Sequence, residues 1–213
     1  MFVGEIIEQV AKQKLRDRSN LLSGPTDSLW SDAELLTYFN EGHTRFCAQT
    51  HCYAPLIEAR AVPNVATLRL PDNLLQVYTI TRPDGVELHQ TPRPRMGRTG
   101  NPDSYFVTMP EGHIVLTPTP VETETYWVLA AMVPTPLTLD DDLMCARHSV
   151  PREYEHALGD YVVWKALTDR DVDGKAMGEA QRFEASYFGA LNTCRASVIR
   201  MVSGVTIPTT APL

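Results

Sequence analysis

His43, Cys47 and His51 stand four residues apart, and Cys52 follows the last of them. On a helix that spacing puts side chains on one face, and imidazole and thiolate are the donors of a zinc-type site. They are a candidate for a metal-binding module or a metal-dependent enzyme. The same residues also suit packing: three ligands from one helix lack the second element that normally closes such a site. On that reading His43 and Cys47 pack in a bundle and His51 frays at the helix end. A second candidate, Asp169-x-Asp171-x-Asp173-Gly174, matches the first half of an EF-hand calcium loop. The match stops there, because Lys175 follows the glycine and Ala180 stands where the loop needs a bidentate glutamate. It reads equally as a solvated turn whose acids favour the start of the next helix. Asp140-Asp141-Asp142 reads as solvated acid in a linker rather than as a metal pair.

Arg93, Arg95 and Arg98 form a small basic cluster. They could touch phosphates, which would make a DNA-binding module, or meet an acidic surface on a partner protein. The chain carries a net charge of −7 and a pI of about 5.3. That balance argues against a dedicated nucleic-acid binder and favours the protein partner. No G-x-S-x-G, P-loop, G-x-G-x-x-G or H-E-x-x-H pattern occurs, which points to a structural role and to no catalytic residue and no cofactor.

The elements that must position these residues follow from periodicity. Val3, Ile6, Ile7, Val10 and Leu15 predict an amphipathic helix over residues 3–18. Ser31 with Glu34 forms a capping box that opens a helix from Trp30, with Trp30 and Leu35 placed for a hydrophobic staple. Leu35, Leu36, Phe39, Phe46 and Cys47 share its buried face, and Pro55 is expected to stop it. Seven short β-rich segments follow: 57–62, 65–70, 75–82, 86–89, 104–109, 113–117 and 125–133, separated by Pro, Asn, Asp and Gly turns. They predict a meander folded into a small sandwich or barrel, with residues 90–102 as a long exposed loop. Helices return near Pro151, with a stripe of Tyr154, Ala157, Leu158, Tyr161, Val162 and Lys165. A long helix over 175–202 shows a stripe of Ala180, Phe183, Tyr187, Leu191, Cys194, Val198 and Met201, and Gly204 is expected to end it.

The expected architecture is α+β. A four-helix bundle, two N-terminal and two C-terminal helices, is built from residues 1–55 and 150–203. An all-β sandwich-like or barrel-like insertion takes 56–135, a linker 136–149, and an extended tail 204–213. The tail is uncharged and proline-broken, so Val205, Thr206, Ile207, Pro208 and Leu213 are candidate partner-binding residues, together with Arg93, Arg95 and Arg98. The longest apolar run, residues 126–133, is eight residues, against about 20 for a bilayer span. The N-terminus has no basic flank, so no signal peptide is read, and the four cysteines without a C-x-x-C pair are expected to be reduced thiols.

W-S-D-A-E-L-L-T-Y-F-N-E-G at 30–42 resembles the head–tail adaptor (connector or head-completion) proteins of tailed bacteriophages. In order along the chain come Leu70-Pro71-Asp72, Leu116-Thr117-Pro118-Thr119-Pro120 and Tyr154-Glu155-His156-Ala157-Leu158, so the likeness spans residues 30–201. Gly42 departs from the pattern, since alanine would suit the helix better. The resemblance implies a structural virion protein: a ring of twelve copies docked under the portal protein and extending the channel through which DNA passes. It also implies a platform for the tail (nozzle or tube) protein. The place would be the head–tail interface of the virion, and the host cytoplasm during assembly, with no membrane. An acidic chain suits a DNA conduit, since like charges keep the duplex from adhering.

Overall fold

The structure is a computed structural model that describes residues 1–8, 13–15, 30–93, 99–108, 113–170 and 177–203. The chain divides into two compact units, Met1–Cys52 with Pro134–Leu213, and Tyr53–Val133. Four α-helices and two sheets make a mixed α+β protein among the described residues.

In the first unit, α1 is Val3–Glu5, α2 is Asp32–Thr50, α3 is Glu155–Arg170 and α4 is Met177–Ser203. The chain continues past α1 in a wider π-type turn to residue 8 and is helical again at 13–15, with Val3, Ile6, Ile7 and Leu15 buried. The capping box of α2 is formed. The backbone N–H of Ser31 donates to Glu34 Oε2 at 2.8 Å, and Ser31 Oγ accepts from the N–H of Glu34 at 3.3 Å. The Trp30 indole N–H donates to the Ala166 carbonyl at 3.2 Å, which ties the residue before α2 to α3. The five apolar residues expected on its inner face are all buried.

The expectation that Pro55 stops α2 is corrected. The helix ends at Thr50, because His51 takes the left-handed conformation (φ 57°, ψ 26°) and donates its N–H to the Cys47 carbonyl at 2.8 Å. On α3, Ala157, Leu158, Tyr161 and Val162 are buried as expected, but the buried surface is wider than a stripe. Burial covers Ala157, Leu158, Asp160, Tyr161, Val162, Val163, Ala166 and Leu167, most of its circumference, because α3 packs against both α2 and α4. On α4, Ala180, Tyr187, Leu191 and Cys194 are buried as expected. Met201 is not: it is 81% exposed. The reason is length. With 27 residues against 16, α4 is about 40 Å long and α3 about 24 Å. The Tyr154 hydroxyl, just ahead of α3, meets Ser197 Oγ at 3.4 Å, so α4 runs on past the start of α3.

Residues 136–149 are bound along the helical unit rather than free. Asn40 Nδ2 donates to the Leu137 carbonyl at 2.7 Å, and the Leu137 N–H returns to Asn40 Oδ1 at 2.9 Å. Further on, the Val3 N–H donates to the Ala146 carbonyl and the Gly4 N–H to that of Leu143.

In the second unit the strands are β1 Leu56–Arg60, β2 Thr67–Leu68, β3 Leu74–Thr81, β4 His89–Gln90, β5 Ser104–Val107, β6 Ile114–Thr117 and β7 Thr125–Met132. The expected meander is corrected. The strands pair in the orders β1-β7-β3 and β2-β6-β5-β4, and they close no barrel among the described residues. The first strand pairs antiparallel with the last, Leu56 opposite Leu129, so the chain enters and leaves this unit side by side. Gln90, expected in a loop, lies in β4, which pairs parallel with β5. Both sheets contribute to one core that includes Ala59, Leu68, Ile80, Tyr105, Leu116 and Tyr126. Gly85 turns the chain between β3 and β4 at φ 84°, a conformation that suits a residue without Cβ.

Candidate interaction surfaces

The structure takes the helical metal candidate apart. His43 is buried, stacks near Phe39 with ring centroids 5.6 Å apart, and accepts the Ser149 N–H on Nε2 at 3.0 Å. Burial, helped by nearby His148, lowers its pKa to about 4, so the ring is neutral at pH 7 and its Nε2 lone pair is already used. His51 has left the helix as its left-handed cap and no longer follows His43 and Cys47 along one face. Cys47 is buried with its Sγ 4.0 Å from that of Cys52. Among the described residues, no group of three or more His, Cys, Asp or Glu side chains is placed to hold a metal ion.

The acidic runs serve local structure. Asp141 accepts both the N–H and the hydroxyl of Thr138, which holds its carboxyl below the usual range, and Asp142 Oδ1 accepts the Met144 N–H. Asp169 lies 3.8 Å from Lys165 one turn back on α3, while Asp171, Asp173 and Gly174 lie outside the described residues. Arg93 is exposed and its carbonyl accepts from the Thr91 hydroxyl at 3.1 Å. Arg95 and Arg98 lie outside the described residues, as do Val205, Thr206, Ile207, Pro208 and Leu213.

Two apolar surfaces emerge that periodicity did not single out. On α4, past its contact with Tyr154, Ile199, Met201 and Val202 are all exposed. On the sheet β1-β7-β3, Leu56 is 61% and Trp127 is 38% exposed, although their strands supply core residues from the other face. Each had a trace in the sequence. The apolar period of α4 runs on longer than α3 can cover. The segment Tyr126 to Met132 has no polar residue at alternate positions, so an apolar face remains after the core is filled.

A family model described as SU10 adaptor protein matches residues 1–207. No curated protein matches the chain.

Proposed function

The chain belongs to the SU10 adaptor protein family, a family of phage head–tail adaptors, and from that premise we propose that it forms the ring joining portal to tail. The family is structural rather than catalytic. The observation that carries the proposal is the family match over residues 1–207, nearly the whole chain. In the proposed assembly twelve copies dock on the portal protein, extend the DNA channel and offer the tail protein its attachment platform. The place of action is the virion, after assembly in the host cytoplasm.

Three features support this reading. The net charge of −7 suits a conduit that must pass DNA without holding it. The exposed apolar side chains at the end of α4 and on the outer face of β1 and β7 suit a protein completed by its neighbours. The uncharged residues Val205, Thr206, Ile207, Pro208 and Leu213 suit a segment that gains its partners in an assembly, and Arg93, Arg95 and Arg98 suit an acidic surface on one of them. The helical part is read as a bundle whose fourth member runs through residues 3–18.

The test is solution mass of the purified chain, alone and mixed with the portal protein of the same phage. A closed ring, alone or on the portal, is the expected result. A chain that stays monomeric with portal and tail proteins alike overturns the proposal.

A further inference from the structure

Three of the four cysteines converge in the helical unit from distant points in the chain. Cys47 lies in the last turn of α2, Cys52 follows the left-handed turn at His51, and Cys194 comes from α4. The Sγ atoms of Cys47 and Cys52 are 4.0 Å apart, and Cys194 lies close enough to shift the ionisation of Cys52. Cys47 and Cys194 are fully buried, whereas Cys52 is half-buried.

We propose that this trio is a thiol–disulfide exchange site, in which Cys52 is the attacking thiol and Cys47 the resolving one. The substrate class is a small-molecule disulfide. The Cys52 thiolate attacks one sulfur of that disulfide and expels the other half as a thiolate, leaving a mixed disulfide on Cys52. Cys47 then gives up its proton, attacks Cys52 Sγ and expels the second half. Two protein thiols become one disulfide, and one small disulfide becomes two small thiols. Forming the bond closes the 4.0 Å gap to about 2.05 Å. Cys194, close to the same sulfur, can exchange into the bond, which would tie α4 to the residue at which the helical unit ends.

The local chemistry assigns these roles. The neighbouring Cys194 and Cys47 thiols hold the Cys52 thiol below its usual range, which favours it as the attacking sulfur. The same proximity, with burial, pushes Cys47 and Cys194 up. The inference is independent of the adaptor reading, because it needs only the folded helical unit.

The experiment uses the full chain carrying Cys145→Ser, which removes the exposed fourth thiol. It is treated with oxidised glutathione, then analysed by thiol titration, intact mass and peptide mapping. The expected result is loss of two thiols and two hydrogens, with Cys52 linked to Cys47, or to Cys194 after exchange. Cys52→Ser, at a half-buried position, should fold and lose the cross-link entirely. Retention of all three thiols overturns the proposal. So does glutathione left on Cys52 without an internal bond, a link between Cys47 and Cys194, or a cross-link that survives in folded Cys52→Ser.

Discussion

Gly42 sits in the middle of α2, where helix propensity alone favours alanine by about 1 kcal/mol. The structure reverses that preference. A Cβ built there would lie 2.6 Å from the Tyr161 ring, and the Gly42 carbonyl accepts the Tyr187 hydroxyl at 3.0 Å. Tyr161 is itself fixed against Tyr187 and Trp164, with ring centroids 4.7 and 5.2 Å away. Gly42→Ala is therefore expected to destabilise the protein by about 1–3 kcal/mol, read as a lower urea midpoint, although it improves the helix. His43, its neighbour, gives a pH signature. The unfolded chain protonates it near 6.5, while the folded protein holds it neutral down to about 4. Its contribution is whole above pH 6.5 and is lost as the pH falls towards 4, because the unfolded state then takes up a proton that the folded state refuses. The loss is on the order of 3 kcal/mol at most. Urea midpoints between pH 7 and 4.5 should fall more steeply for the native chain than for His43→Gln, whose amide can still accept from Ser149; equal slopes would show that another group governs acid unfolding.

At the scale of the element, α2 is the part most fully written in local chemistry. Its start is fixed by Ser31 and Glu34, which satisfy each other's backbone N–H groups. Ser31→Ala should lower stability by about 1 kcal/mol, again measured by urea unfolding, and an unchanged midpoint would mean that the tie from Trp30 to Ala166 holds the helix start alone. The end of α2 was not legible. Pro55 is a strong stop signal, but His51 closes the helix first, and a left-handed histidine leaves little trace in sequence. The strands show the same division. Segments near all seven were readable from their β-branched and aromatic residues, yet their pairing was not. Alternation says which face of a strand is apolar, and it does not say which strand lies beside it. The parallel pairing of β4 with β5 and the pairing of β1 with β7 follow from the closure of a core between two sheets.

At the scale of the molecule, what needs a partner is what one chain leaves uncovered. Met201 and Val202 lie on the part of α4 that overruns α3, and Trp127 and Leu56 lie on an outer sheet face. Met201→Glu and Trp127→Lys should each leave the unfolding midpoint within about 0.5 kcal/mol of native. At least one should block formation of the ring or of its complex with portal protein, read by solution mass; normal assembly by both would move the contacts elsewhere. The sequence by itself determined the α+β class, the position and cap of α2, the placement of the strand segments and the ordered motifs of the adaptor family. Those signals are local: a capping pair, a period and a turn residue act within a few positions of one another. Only the tertiary structure decided that His43 is a neutral packed acceptor rather than a metal ligand, that Gly42 must stay small, that α3 is central, and that three cysteines meet. Each of these depends on a residue from a distant stretch arriving at the same place, and periodicity within one segment carries no information about what packs against it.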